Sequence, residues 1–542
     1  MGGDLEYLME VLGPGARSWA QRDGPSLSGY RVPSGPGGIR RGRPAGIVTT
    51  VAHRRAVGQT LTMNVLILGG GPAGVTAALR AAELGANVTL LERTLLGGTC
   101  TDDGCAPTRV LARAARLVRD AAQAPIYGIA LPPAEVDFAA LLSETQRIIY
   151  RLHEKKQLRH HLERVGVTVH EETGDARFVG PRQVALSDGQ RFGADRIIVC
   201  VGGHARRLPI PGEELALTHS DIWGLDRLPR SMSIVGGAAT GVQLATIFDS
   251  FGTRVRLLEL APRLLPGEDE LVSATLASSL RERGVEVVTG IGGVQRLERR
   301  TRGVRLVFSD SAGAERFADD DVVVFAVGWP ANVEQLDPMA AGVTAERGRI
   351  MVDDTLRTSA EGVFAAGDAT GRMMLVQSAI LEGRAAATNA VTDGHQVAGH
   401  GIVPHGGFTD PEYGSVGLTE EAASRLGPVV SATVPYDDID RAVVDGRTEG
   451  ACKLVFAADD RRLVGAHVVG EQAVEVVQLA AAAMAAGMTA EAIGGVELAY
   501  PTYTSIIGLT ARQAVRQMEA EAQDRAAPLG RPSPEWESTS RG

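Results

Sequence analysis

Twice along this 542-residue chain an apolar strand runs into a glycine-rich turn, a helix and a second strand that ends in glutamate. That repetition predicts an α/β fold with two Rossmann-like dinucleotide-binding domains. A third stretch, opening at Phe408 to Glu420, has paired strands over Gly450 to Val469 and a helix over Ala473 to Met488, which adds an α+β domain near the C-terminal end. Between the two glycine turns lies a close cysteine pair, the only one among four cysteines.

Residues 1–62 are rich in Gly, Pro and Arg without sustained periodicity, and read as a disordered extension. They lack the charged start, apolar stretch and small-residue cleavage site of a secretory signal. From Asn64 the pattern sharpens. Val65 to Leu68 is a buried strand, Gly69-Gly70-Gly71-Pro72-Ala73-Gly74 opens a helix, and Val88 to Leu91 ends in Glu92. Gly69 permits the tight turn, Gly71 lets the backbone approach a pyrophosphate, and Gly74 lets helix and strand pack closely. Glu92 stands where a carboxylate accepts from a ribose hydroxyl.

The next stretch, Gly97 to Arg109, reads GGTCTDDGCAPTR. Pro107 opens an apolar-periodic run, Val110 to Ala122, so Cys100 and Cys105 lie at a helix N-terminus. Unpaired amides and the helix dipole stabilise a thiolate there, the nucleophilic and redox-active form. Asp102 and Asp103, inside the loop, are expected to oppose that thiolate. Phe138 to Val165 reads as one long charged helix whose His153, His160 and His161 form a solvated face, because no carboxylate or cysteine completes a metal set at fitting spacing. Ile197 to Gly202 is a return strand with its closing glycine.

The second unit runs from Ser233 through Gly236-Gly237-Ala238-Ala239-Thr240-Gly241 to Val255–Leu258 and Glu259. Alanine replaces the middle glycine. Glu259 would bond a 2'-hydroxyl and repel a 2'-phosphate, favouring NADH over NADPH, although Arg254, Arg256 and Arg263 lie nearby. Ala326-Val327-Gly328-Trp329-Pro330 and Val363 to Ala369 supply two further strand-and-turn segments.

A net charge of −10 gives nucleic-acid binding no electrostatic support. No apolar run is long enough for a membrane span; Glu475 and Gln478 interrupt the Ala-rich segment Val474 to Met488. A cytoplasmic enzyme is the expectation.

The cysteine motif behind a dinucleotide fingerprint closely resembles that of the flavin- and pyridine-nucleotide-dependent disulfide reductases, among them dihydrolipoamide dehydrogenase, glutathione reductase and mercuric reductase. The resemblance covers about 63–520 and implies an FAD domain over 63–211 and 335–402, an NAD(P) domain over 212–334, a dimerisation domain over 403–520 and a structureless tail over 521–542. It marks 1–62 as a dispensable extension, since resembling proteins begin near Met63. It also implies that NADH reduces FAD, that FAD reduces a Cys100–Cys105 disulfide, and that the chain works as a homodimer. By the same resemblance Cys105 is the thiolate beside the flavin and Cys100 the interchange thiol that meets the acceptor. Gly98, Thr99, Arg109, Gly202, Gly328, Asp368 and Ala369 would contact the cofactors, with Asp368 on the ribityl chain.

Several positions depart from the family. Relatives acting on thiols end in His-Pro-Thr-x-x-Glu, with the histidine serving across the dimer; here the run is Tyr500-Pro501-Thr502-Tyr503-Thr504-Ser505. An unperturbed tyrosine is a poor base at neutral pH. Mercuric reductases also use tyrosine near the site, which moves the chain toward them, yet their C-terminal cysteine pair has no counterpart here after Cys452. The family's lysine is Arg109, its glutamate partner is Gln243, and the arginine after Gly328 is Trp329. Without a counter-charge at Gln243, Arg109 is expected to act chiefly on reduced flavin. Three readings stay open: transfer to a metal ion or small-molecule acceptor, with Tyr500 as a site group; dihydrolipoamide-like disulfide chemistry; and a flavin-only NADH oxidase or quinone reductase, or a non-catalytic flavin sensor.

Overall fold

The computed structural model describes residues 63–524. The expectation of disorder over 1–62 therefore lies outside the described residues, as does most of the expected tail. Its start is corrected, because the last helix, Ser505–Asp524, runs past residue 521.

The first layer is a parallel sheet of β1 (Asn64–Leu68), β2 (Asn87–Leu91), β3 (Thr168–His170), β4 (Arg196–Val199) and β9 (Val363–Ala365), in the order β9-β4-β1-β2-β3. Val65 faces Val88 across one ladder and Arg196 across the other. Strands covered on both faces read as continuous apolar runs, and Ile67, Leu90 and Ile198 are fully buried. Helix α1 (Pro72–Glu83) packs on this sheet and against α8 (Val376–Thr392). Gly383 makes that approach feasible, because a Cβ there would lie 2.2 Å from the Ala73 carbonyl oxygen.

After the short helix α2 (Thr99–Asp102), α3 runs Cys105–Gln123. It therefore starts two residues before Pro107, whose missing N–H costs nothing in a first turn. The single helix expected over Phe138 to Val165 is corrected to α4 (Phe138–Lys156) and α5 (Leu158–Arg164). Gln157, at φ 42° and ψ 45°, ends α4 in the left-handed region, its N–H bonded to the His153 carbonyl. The re-aimed α5 buries Leu162 completely in the core beneath α1.

The second parallel sheet combines β5 (Ser231–Val235), β6 (Arg254–Glu259), β7 (Glu286–Thr289) and β8 (Val322–Phe325) in the order β7-β6-β5-β8, with α6 (Ala239–Ser250) and α7 (Glu270–Glu282) packed around it. The C-terminal sheet is antiparallel, ordered β10-β11-β14-β13-β12 from β10 (His405–Gly407), β11 (Glu412–Gly417), β12 (Val429–Pro435), β13 (Ala451–Ala457) and β14 (Leu463–Gly470). The paired strands read over Gly450 to Val469 are β13 and β14, with Ala451 opposite Val469. Helices α9 (Ala473–Ala485) and α10 (Ser505–Asp524) cover it.

One polar joint ties these layers. Asp410 meets Arg119 of α3 and, at 3.0 Å, Arg283 at the end of α7, while Arg119 also reaches Glu471 at 3.0 Å. Burial works against the Asp410 charge, but the two guanidiniums hold its carboxyl below the usual range.

Candidate redox site

Both glycine turns are built alike. Gly69 and Gly236 lie at φ +103° and +107°, and a Cβ on Gly74 or Gly241 would stand 1.8 Å from the carbonyl oxygen of Gly69 or Gly236. Glu92 Oε2 accepts from the Gly70 N–H at 2.6 Å, and Glu259 Oε2 accepts from the Gly237 N–H at 2.5 Å. Each acid thus braces its own turn, leaving lone pairs for a ribose. A Cβ on Gly71 would meet only the Gly98 Cα, at 3.9 Å. That open space above a helix start fits a pyrophosphate. Ala238 keeps the same backbone, φ −83° against −75° at Gly71, so its methyl occupies the equivalent space in the second unit.

Gly98, at φ +66°, brings the cysteine turn against the first fingerprint, where its own Cβ would be 2.9 Å from the Gly71 Cα. Thr99 and Cys100 follow on α2, and Cys105 opens α3. Both cysteines are free thiols at adjoining helix starts. The Cys100 S–H, hydrogen-bonded to Cys105, brings the Cys105 thiol down to about 7, against burial and the Asp368 charge. The same bond, with burial, drives Cys100 up. Cys105 is the thiolate of the pair. Cys200 and Cys452 are buried, and desolvation pushes Cys452 up to about 12.

The expectation that the loop carboxylates oppose the thiolate is corrected. Asp102 Oδ1 lies 2.6 Å from His153 Nε2, and Asp103 Oδ2 accepts from Ser220 Oγ at 2.5 Å. Trp223 Nε1 also donates to the Asp103 carbonyl at 3.1 Å. The carboxylate whose field raises both thiols is Asp368. Solvated status for the α4 and α5 histidines holds for His160 and His161, which are exposed, and fails for His153.

The expectation that Arg109 lacks a counter-charge is likewise corrected. Its guanidinium pairs with the buried Glu412 at 2.9 Å and lies 4.5 Å from the centroid of the Phe408 ring. Arg116 shares Glu412. Gln243 Oε1 accepts from the Phe408 N–H at 3.0 Å, so the amide braces the same loop without a charge. Counter-charge for Arg109 therefore comes from the C-terminal sheet.

On the far side, Asp368 follows β9, and Ala369 beside it is buried. Trp329 Nε1 donates to Asp368 Oδ2 at 2.9 Å. Burial raises the Asp368 carboxyl, and the indole bond opposes the rise. Gly202 (φ +68°) has open space at its Cβ position, and Gly328 (φ +129°) faces the Arg206 side chain at 3.6 Å. Sequence reading missed Glu382, fully buried, whose Oε2 accepts from the Gly367 N–H at 2.7 Å while Oε1 meets His400 at 2.8 Å. Tyr500 is 59% exposed on the approach to α10, its hydroxyl bonded to Asp440, another group the sequence did not single out.

Residues 63–383 match the family described as pyridine nucleotide-disulphide oxidoreductase, and 403–515 match its dimerisation domain. The mercuric reductase of Lysinibacillus sphaericus is 30% identical over 436 residues, 79% of this chain and 78% of that one. The dihydrolipoyl dehydrogenase of Thermus scotoductus is 33% identical over 81% of this chain and 95% of that one. Among solved structures, the HOCl-induced flavoprotein disulfide reductase RclA from Escherichia coli superposes with a TM-score of 0.73 at 26% identity, covering 83% of this chain and 99% of RclA. Its Cu(II) complex gives 0.74 at 25% identity, over 84% and 100%.

Proposed function

The chain belongs to the pyridine nucleotide-disulfide oxidoreductases, and on that premise we propose that it passes an electron pair from NADH through Cys100 and Cys105 to an acceptor that needs no histidine base. As a member it is an FAD-dependent enzyme using NAD(P)H, with a domain for pairing two copies. Bound FAD supplies hydride acceptance from the nicotinamide and delivery of the electron pair to the disulfide.

The turn of Gly69, Gly71 and Gly74 with Glu92 and Asp368 would hold FAD, and the turn of Gly236 and Gly241 with Glu259 the nicotinamide cofactor. The choice of NADH rests on Glu259; of the neighbouring arginines, Arg256 is tied up by Asp320 at 2.9 Å and Glu286 at 2.7 Å, while Arg254, bonded to Asp320 at 3.1 Å, stays exposed. The Cys105 thiolate faces oxidative closure with Cys100: the S–S bond forms, the electron pair leaves to the acceptor, and the Cys100 proton is released.

The observation that carries the choice of acceptor is Tyr500 in the position of the thiol-exchange histidine, with its hydroxyl bonded to the carboxylate of Asp440. A phenol whose proton is already engaged by a carboxylate is a poor proton donor to a leaving thiolate, which disfavours exchange with a disulfide. One Hg(II) ion takes the electron pair, or two Cu(II) ions take one electron each, with no proton transfer to the metal. The mercuric reductases among the relatives and the Cu(II) complex of RclA agree with that class of acceptor. A homodimer in the cytoplasm, without nucleic-acid partners, is the setting proposed.

The test is NADH oxidation against Hg(II), Cu(II), lipoamide and glutathione disulfide. Metal-dependent turnover that is lost in Cys100→Ser and Cys105→Ser supports the proposal. Turnover with lipoamide at rates above the metals would replace it with the dihydrolipoyl dehydrogenase reading, which the relative at 33% identity favours.

A further inference from the structure

The disulfide loop is gripped by the last turn of α4, a contact that the redox reading leaves without a purpose. His153 and Lys156 lie one turn apart there and face the loop together. His153 Nε2 stands 2.6 Å from Asp102 Oδ1, and Lys156 Nζ donates to Thr101 Oγ1 at 2.8 Å. Thr101 is 1% exposed, and its hydroxyl also reaches back to the Gly97 carbonyl at 3.4 Å. The loop accommodates the imidazole closely. Gly97 sits at φ +134°, and a Cβ on it would lie 2.9 Å from His153 Cε1. The left-handed break at Gln157 ends α4 immediately after Lys156.

We propose that His153 and Lys156 are positioning residues for the interchange thiol, seating the disulfide loop and setting a cation on Thr101, the residue after Cys100, from within the same chain. The proposal rests on the reading of Cys100 and Cys105 as a redox pair. Of the charged groups that bear on Cys100, Lys156 is the one that favours its thiolate, while Cys105 and Asp368 oppose it. His153 acts one step further out. By pairing with Asp102, which otherwise faces Asp103 and Glu92 as like charges, it keeps a carboxylate two residues from the thiol engaged on the α4 side. In relatives acting on thiols a histidine from across the dimer serves the thiols; here the electrostatic part of that duty falls to α4.

The experiment uses the full chain with its flavin, reduced by dithiothreitol under nitrogen. Iodoacetamide alkylation is followed at each cysteine by mass spectrometry across pH, for wild type, Lys156→Met, Lys156→Arg and His153→Gln. In Lys156→Met, alkylation of Cys100 slows by about threefold to tenfold near neutral pH and its profile moves to higher pH, while Cys105 changes less. Lys156→Arg follows wild type, and His153→Gln slows Cys100 in the same direction. Cys100 rates within about twofold of wild type in Lys156→Met, or equal slowing at both cysteines, would overturn the proposal. Lys156 is exposed, so its variants fold and decide the matter even if His153→Gln does not. Because chemical reductant opens the disulfide, the outcome is independent of whether NADH can do so; failure of NADH to expose the thiols counts against the redox reading alone.

Discussion

A thiol that opens a helix and accepts a hydrogen bond from a second thiol is a different acid from that second thiol. Cys105 comes down to about 7 for this reason, while Cys100, the donor, is driven up. Replacing the donor separates the two contributions. In Cys100→Ala the Cys105 thiolate forms about one pH unit higher than in Cys100→Ser, whose hydroxyl still donates; thiolate absorbance against pH reads the difference. Trp329 offers a second test at this scale. Its indole N–H steadies the buried Asp368 carboxylate. Trp329→Phe leaves that carboxylate one donor short, and retention of FAD after extensive dialysis falls by about threefold to tenfold. Unchanged retention would detach Trp329 from the flavin site.

Elements differ in how much of them could be read from the chain. Strand, glycine turn, helix and terminal acid are local, with Gly70 and Glu92, and again Gly237 and Glu259, 22 positions apart, and the hydrogen bonds that join them fall where the pattern places them. The cysteine turn is local too. What escaped depends on partners far along the chain: Arg109 and Glu412 are 303 residues apart, and His153 and Asp102 are 51 apart. No periodicity reports such meetings. The break at Gln157 escaped because the helical pattern runs on through it; the left-handed Gln157 re-aims the chain into α5, which buries Leu162. Packing of α1 on α8 gives a prediction at this scale. Gly383→Ala would drive a methyl into the Ala73 carbonyl, so denaturant unfolding should show a loss of about 1–3 kcal/mol. A loss below about 0.5 kcal/mol would mean that the helices separate at little cost.

At the scale of the whole molecule, the nucleotide layer is fastened to the C-terminal sheet by buried ions. Glu268 meets His405 at 2.9 Å, and Asp269 meets Lys453 at 2.8 Å. Burial opposes both charges of the first pair, yet their mutual bond prevails, holding Glu268 below and His405 above the ordinary values. Stability from the raised histidine is full below its unfolded pKa and is lost as pH rises through the folded one. Stability from the lowered carboxylate is full above its unfolded pKa and is lost as pH falls through the folded one. The pair therefore stabilises most in the window from about pH 4.5 to 6.5. His405→Gln should flatten the pH dependence of thermal unfolding on both sides of that window; an unchanged profile would exclude this fastening as a source of it. Among the described residues no helix is long and apolar enough to cross a membrane.

The central claim is that the cysteine pair lies on the path from the nicotinamide to the acceptor. It is tested most directly by adding NADH without oxygen to the air-oxidised protein, alkylating at once, and locating the label. Labelling at both Cys100 and Cys105, with a long-wavelength absorbance that Cys105→Ser lacks, is the predicted result. Bleaching of the flavin with both cysteines still unlabelled would contradict it, leaving a flavin-only oxidase or quinone reductase in its place.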